Sequence, residues 1–344
     1  MTPQEVIAHL VAGKDLTREQ ARETMLAIMS GQMTDAQIGA YLVALRMKGE
    51  RVEEIAGSAA AMRQMAVAVK AEGIVVDTCG TGGDGSGTFN ISTTAAFVVA
   101  GCGVTVAKHG NRSISSRSGS ADLLKALGVR LEVEVSLVER CLREAHIGFL
   151  FAPRHHGAMR HAMGPRKELG LRTVFNLLGP LTNPAGASRQ VMGVFSSEWT
   201  GPLAKVLGML GSRRAMVVHG SDGLDEITLT GSTKVAELLP DGQVLEYDLH
   251  PGELGLACVT SETLRGGDAE ENAAITRAIL SGEEGPTRDI VLLNAAAALY
   301  VADQAADLRE GLLLAARSID SGAAMASLEK LIALCAGSAA EGGG

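Results

Sequence analysis

Two stretches of this chain carry the residue types needed to hold a polyanion. The first is Asp77-Thr78-Cys79-Gly80-Thr81-Gly82-Gly83-Asp84-Gly85-Ser86-Gly87-Thr88-Phe89-Asn90-Ile91-Ser92. Its glycines let backbone N–H groups approach phosphate oxygens with no Cβ in the way. The helix expected next presents unpaired N–H groups and the positive end of its dipole. Thr88, Asn90, Ser92 and Thr93 add side-chain donors and acceptors. No Gly-Lys-Ser/Thr follows, so this is not a Walker loop, and Asp84 with the second glycine cluster breaks the spacing of a dinucleotide fingerprint. A structural turn between a strand and a helix is the plainer alternative for this segment taken alone. The second stretch, Lys108-His109-Gly110-Asn111-Arg112-Ser113-Ile114-Ser115-Ser116-Arg117-Ser118-Gly119-Ser120, packs three cations and five hydroxyls into thirteen residues. Lys and Arg supply charge to an anion and Ser supplies directed hydrogen bonds. A solvated basic loop is the plainer alternative.

Two further segments bear on the chemistry. His219-Gly220-Ser221-Asp222-Gly223-Leu224-Asp225-Glu226-Ile227-Thr228 places three carboxylates near a strand end. Adjacent Asp225 and Glu226 are hard oxygen ligands of the kind magnesium takes alongside phosphate and water; in isolation the segment also reads as an exposed acidic turn. The run Phe151-Ala152-Pro153-Arg154-His155-His156-Gly157-Ala158-Met159-Arg160-His161 leads to Arg166 and then to Arg172 and Asn176 through Pro184. Its three histidines lack the nearby carboxylate or Cys that would complete a zinc site. Arg166 is able to grip a carboxylate with two parallel hydrogen bonds, or to serve as an ordinary helix-surface residue.

The elements that must position these segments follow from local signals. Thr2-Pro3-Gln4-Glu5, Thr17-Arg18-Glu19-Gln20 and Thr34-Asp35-Ala36-Gln37 are helix-start signatures, and Gly31 and Gly49 punctuate helix ends. Val52, Ile55, Ala56, Ala59, Met62 and Met65 form an apolar stripe at helical spacing, read as packing surface. The first 70 residues are therefore expected to be helical. Beyond them, Ile74 to Val76, Val104 to Ala107, Phe149 to Phe151, Gln190 to Phe195 and Ala215 to Val218 are strand candidates. Helices are expected over Ala95 to Ala100, Ala121 to Leu127 and, in pieces, Asp289 to Lys330. Strand, loop and helix in alternation imply a mostly parallel sheet covered by helices, with functional loops at the carboxyl ends of the strands.

Composition bounds the rest. The chain has 344 residues, 46% hydrophobic and 20% charged, enough for a sizeable core. Aromatics are 3%, which argues against a surface that stacks nucleobases, and a net charge of -8 disfavours general binding to nucleic acid or an anionic membrane. It does not exclude a small anionic substrate, because exposed charge is screened over roughly 8 Å and local charge decides. Five cysteines without metal-ligand spacing, and a start with no basic segment before an apolar run, fit a reducing, cytoplasmic setting.

Taken together, DTCGTGGD, FNIST, KHGNRSISSRSGSADLLKALG, FAPRHHGAM to GPRKELGLRT, FNLLGPLTNPA and GLDEIT resemble the anthranilate phosphoribosyltransferase family of tryptophan biosynthesis, in the family's order and over nearly the whole chain. The resemblance implies a small helical domain (1–70, joined by part of 160–190), a larger α/β domain (71–335), a frayed tail (336–344) and a homodimer. It implies that phosphoribosyl pyrophosphate (PRPP) binds at Gly80, Gly83, Asp84, Thr88, Asn90, Ile91, Ser92, Thr93, Lys108, His109, Gly110, Asn111, Arg112, Ser113, Ile114, Ser115, Ser116 and Ser120. It places anthranilate at Gly80, Asn111 and Arg166, and Mg2+ at Ser92, Asp225 and Glu226. No nucleophile is implied; Lys108 and Arg166 act by charge and positioning. The chain departs from the family at His155-His156-Gly157-Ala158-Met159, where many members have Tyr-His-Pro-Ala-Met, so a proline restraint is lost on the anthranilate side. Rival readings are a pyrimidine nucleoside phosphorylase and a non-catalytic nucleic-acid-binding relative.

Overall fold

The computed structural model describes residues 1–112 and 117–337. The chain opens with four helices, α1 (Pro3–Val11), α2 (Arg18–Met29), α3 (Asp35–Lys48) and α4 (Val52–Met65). Thr2, Thr17 and Thr34 cap the first three as expected: each hydroxyl accepts the N–H three residues on, and Glu5, Gln20 and Gln37 reach back to the cap. Each such cap stabilises a helix by about 1 kcal/mol. Ile55, Ala56, Ala59 and Met62 of the α4 stripe are buried, whereas Met65, at the helix end, is 38% exposed.

A seven-stranded sheet follows, with spatial order β3-β2-β1-β4-β5-β6-β7. Its strands are β1 (Val75–Gly80), β2 (Thr105–Gly110), β3 (Ile147–Phe151), β4 (Arg189–Gly193), β5 (Arg214–Gly220), β6 (Thr233–Leu238) and β7 (Val244–Leu249). The first five run parallel, and β6 and β7 are added antiparallel at one edge. The mostly parallel sheet is as expected, but strand limits differ. Ile74 lies outside β1, while Asp77 to Gly80 belong to it, because pairing with β4 continues to Gly80 opposite Gly193. Likewise Lys108, His109 and Gly110 are strand, paired with Phe149, Leu150 and Phe151. The β6–β7 hairpin is absent from the sequence-based expectations, although Pro240-Asp241-Gly242 between its strands is a turn signal.

Both faces of the sheet are covered. Val76, Val191, Met216 and Val218 share one core with α5 (Ile91–Gly101), α12 (Ala269–Leu280), α13 (Pro286–Val301), α14 (Leu308–Asp320) and α15 (Ala323–Gly337). Cys79, Met192, Ala215 and Val217 point the other way. They join one core with the opening helices, α9 (Arg160–Leu169), α10 (Phe175–Leu178) and α11 (Thr200–Met209). Adjacent strand residues serve opposite cores, as the two-residue period requires. The remaining helices are α6 (Ser120–Ala126), α7 (Val135–Glu144) and α8 (Ala152–His155). Helix α12 is a further element absent from the sequence-based expectations, although Asp268 and Glu271 form a capping box at its start. Helix α15 runs through Gly337, two residues into the stretch expected to fray, and 338–344 lie outside the described residues.

Candidate active site

The carboxyl ends of β1, β4 and β5 meet at one place, and the acidic turn lies across them. A Cβ on Gly193 would collide with the Asp225 carbonyl, and one on Gly80 with the Asp225 carboxylate. Two bare strand ends therefore let the turn sit close. Beyond β1 the chain winds through Gly82, Gly83, Gly85 and Gly87, all at φ between 66° and 74°, a conformation that glycine adopts without the Cβ penalty. This winding returns Asp84 to the turn: the Gly82 N–H donates to Asp225 Oδ2 at 2.8 Å, and the Asp225 N–H to Asp84 Oδ2 at 3.4 Å. Replacing Gly193 with Ala should force the Asp225 backbone away. The expected result is a fall of at least about tenfold in kcat/KM and about 1–3 kcal/mol in stability, as for other overpacking changes. Steady-state rates and thermal melts would read it, and an unaltered rate would show that the turn need not lie on β4.

Glu226 is held at the start of α5. The Ser92 N–H donates to Glu226 Oε1 at 3.1 Å, and the Ser92 hydroxyl also bonds this carboxylate. Burial pushes the Glu226 carboxyl up to about 7, against the pull of Lys108 and Ser92. Burial, then the neighbouring Asp84 and Glu226 charges, raise Asp225 well above the usual carboxylate range. Lys108 offsets only part of the cost of burying these carboxylates. Among the described residues no three His, Cys, Asp or Glu side chains close into a metal cage by themselves. Asp225 and Glu226 fit a hard cation that takes its other oxygens from substrate and water. The third carboxylate of the turn faces away from this pair. Asp222 accepts from the Thr228 and Thr230 hydroxyls at 2.8 and 2.7 Å and shapes the turn. Asp84, from the first loop, takes its place beside Asp225.

Lys108 is buried, and its Nζ donates to the Thr78 carbonyl. Its charge offsets those of Asp77 and Glu226. Its Nζ is thus engaged within the protein, whereas the sequence reading counts Lys108 among the cations of the second loop. His109 is buried beside it, its ring 5.1 Å from that of His156, and neither Nε2 has a hydrogen-bond partner among the described residues. Burial, then the His156 and His155 charges, lower His109 to about 3, and burial foremost lowers His156 to about 4. Both rings are neutral near pH 7. In the second loop, the Asn111 carbonyl accepts the Ala121 N–H at 3.2 Å and the Ser120 hydroxyl at 3.3 Å, joining Asn111 to the start of α6. Arg112 lies 5.9 Å from the Phe151 ring centre. Ser113, Ile114, Ser115 and Ser116 lie outside the described residues.

At the first loop, Thr88 bridges to Arg265, and its hydroxyl is 3.3 Å from that of Ser86. Ile91 and Thr93 are buried, at 1% and 2% exposure, and the Ile91 N–H donates to the Phe89 carbonyl at 2.8 Å. Arg166 stands apart, its guanidinium 4.9 Å above the Phe175 ring and without an ion pair among the described residues. Burial lowers its pKa. Arg172 stacks 4.4 Å from the Phe195 ring and donates to the Gly83 carbonyl, tying the chain after α9 to the first loop.

Several supports do not stand out in the sequence. Asn183 Nδ2 donates to Asp77 Oδ2 and to the Ala107 carbonyl, both at 2.8 Å. Gln190 Nε2 donates to the Pro180 carbonyl at 2.7 Å. On α13, Asn294 grips both backbone groups of Ile227, next to Glu226, at 3.0 and 2.9 Å. A lone Asn inside VLLNAAAALY is the available signal, because a buried amide needs partners.

Residues 4–66 match the Glycosyl transferase family, helical bundle domain, and residues 72–325 match the Glycosyl transferase family, a/b domain. The anthranilate phosphoribosyltransferase of Rhodopseudomonas palustris is 55% identical over 333 residues, covering 97% of this chain and 98% of that protein. The crystal structure of anthranilate phosphoribosyltransferase from Thermus thermophilus superposes with a TM-score of 0.91 at 48% identity, covering 96% of this chain and 99% of that one. The Saccharomyces cerevisiae enzyme in complex with PRPP and Mg gives a TM-score of 0.90 at 31% identity, covering 98% of each chain. Neither rival reading is favoured by these relatives. Both parts of the chain are matched in order, and the likeness extends over nearly its full length. The chain belongs to the anthranilate phosphoribosyltransferase family.

Proposed function

We infer that the chain transfers the phosphoribosyl group of PRPP to the amine of anthranilate, releasing pyrophosphate, in tryptophan biosynthesis. The observation that carries this reading is the meeting of the glycine loop, the start of α5 and the Asp225–Glu226 turn over the ends of β1, β4 and β5. PRPP lies along the first loop, with Gly80, Gly83, Asp84, Thr88, Asn90, Ser92 and Thr93 around it, and the second loop, including Asn111, continues the site. Asp225, Glu226 and Ser92 would hold magnesium, which when bound neutralises charge on the leaving pyrophosphate. The yeast relative's complex with PRPP and Mg supports that assignment.

No nucleophilic side chain is needed. Pyrophosphate leaves readily once its charge is countered, and bond breaking runs ahead of bond making at the anomeric carbon. The chain's own residues work mainly by position. The glycine loop holds phosphate oxygens with backbone N–H groups. Arg166 orients the anthranilate carboxylate so that the amine faces the ribose. His109 and His156, neutral near pH 7, add no charge.

The domain division at about residue 70 is supported by the break between the two family matches, at 66 and 72, and the joining of part of 160–190 to the helical unit by the packing of α9 on α2 and α3 and of α10 on α4. A homodimer formed through the helical units is part of the same reading; Val11 and Met47, 73% and 83% exposed, mark apolar surface there. A cytoplasmic setting also belongs to this reading; no helix among the described residues is long and apolar enough to cross a membrane. The test is the fluorescence of anthranilate in the presence of PRPP and magnesium, each omitted in turn. Consumption should require all three, and consumption without PRPP, or none with the full set, would overturn the reading.

A further inference from the structure

Asn is among the best residues for capping its own helix, yet Asn90, which precedes α5, makes no side-chain cap bond. Thr2, Thr17, Thr34 and Asp268 do cap their helices. The Asn90 amide is engaged elsewhere. Its Oδ1 accepts from Asn272 Nδ2 at 3.0 Å and from the Ser118 hydroxyl at 3.4 Å, and its Nδ2 donates to the Ser118 carbonyl at 3.2 Å. Asn272 sits in the first turn of α12 and is 1% exposed. Its own Oδ1 accepts the Gly267 N–H at 2.8 Å.

The ends of this chain of bonds are backbone groups with only one possible polarity. An N–H can only donate, so Asn272 must turn its oxygen to Gly267 and its NH2 to Asn90. A carbonyl can only accept, so Asn90 must turn its NH2 to Ser118. Both amides are thereby oriented, and one N–H of Asn90 is left untaken by the described residues. One helical turn beyond Asn272, Thr276 Oγ1 lies 2.9 Å from Thr94 Oγ1, which in turn donates to the Asn90 carbonyl at 3.0 Å. The stretch before α12 is bound to the first loop as well: the Gly266 N–H donates to the Gly87 carbonyl at 2.9 Å and the Phe89 N–H to the Leu264 carbonyl at 3.4 Å.

We propose that Asn272 is a positioning residue for PRPP: by donating to Asn90 Oδ1 it turns the Asn90 amide so that an N–H is presented to a phosphate or ribose oxygen. This rests on the reading that PRPP binds the first loop. A flipped Asn90 amide would present an acceptor to an anion instead of a donor.

The test is a double-mutant cycle on the full-length protein with Asn90→Ala and Asn272→Ala, reading KM for PRPP, KM for anthranilate, kcat and thermal midpoint. Asn272→Ala should raise KM for PRPP about tenfold, the usual scale for losing one hydrogen bond to a buried polar group, with KM for anthranilate changed less than about twofold. In the Asn90→Ala background it should add no further rise, because it acts through Asn90. Asn272→Asp keeps the Gly267 bond but cannot donate to Asn90, and should raise KM for PRPP at least as much; it carries the test if the alanine variant does not fold. A lowered melting point with unaltered KM for PRPP, or additive effects in the cycle, would overturn the proposal and leave the PRPP site standing. An Asn90→Ala variant with unaltered KM for PRPP would overturn both.

Discussion

Changing Asp225 to Asn together with Glu226 to Gln should lower turnover at ordinary magnesium by at least about a hundredfold, the scale expected when metal-assisted charge stabilisation is removed. The amides keep the shape of the turn, and Asn can still accept the Gly82 N–H that Asp225 Oδ2 accepts. Only charge is lost. The fold should not suffer: burial raises the pKa of both groups, and Asp84 and Glu226 raise that of Asp225 further, so the ionised forms are the costly ones. A neutral pair removes that cost, and the thermal midpoint should be equal or higher. Lost turnover with retained stability is the signature of groups held in place for a cation. Near-normal rates in this double variant would remove the metal assignment.

Arg166→Ala is expected to raise the KM for anthranilate by roughly 10- to 100-fold, the range for losing a charge-assisted hydrogen-bonding partner, while KM for PRPP stays within about twofold. Arg166 is stacked on Phe175 and partly withdrawn from water, without a carboxylate partner among the described residues. Such a guanidinium is predisposed to an incoming anion. Arg166→Lys should restore little, because an ammonium lacks the planar fork that matches a carboxylate and stacks less well on an aromatic ring. Steady-state kinetics with each substrate varied separate the outcomes, and an unaltered KM for anthranilate would take Arg166 out of that role.

Local chemistry is legible in the sequence wherever neighbours along the chain decide it. Capping boxes at Thr2, Thr17 and Thr34 are made within four residues, so reading them needs no tertiary knowledge. The glycine loop, the cationic second stretch and the acidic turn are visible for the same reason, as is the strand–loop–helix alternation that implies a mostly parallel sheet. Strand limits are less legible. Polar Asp77, Thr78, Lys108 and His109 read as loop, yet pairing with β4 draws the first two into the sheet and pairing with β3 the second two. The β6–β7 hairpin and α12 are absent from the sequence-based expectations although each carries a local signal, Pro240-Asp241-Gly242 in the one and the Asp268–Glu271 capping box in the other.

Only the tertiary structure decided which charges meet. Asp84 joins Asp225 because two strand ends without a Cβ let the turn lie over them; Asp222, three residues from Asp225, is taken by Thr228 and Thr230. Lys108 turns inward to the Thr78 carbonyl, and Asn272, far along the chain, orients Asn90. Residue types and short-range spacing determine helices, loops and the kind of ligand they suit. Burial and long-range hydrogen bonding determine which of those groups face one another, because desolvation penalises every polar group that finds no partner, and its partner is chosen by the fold and not by the sequence position beside it.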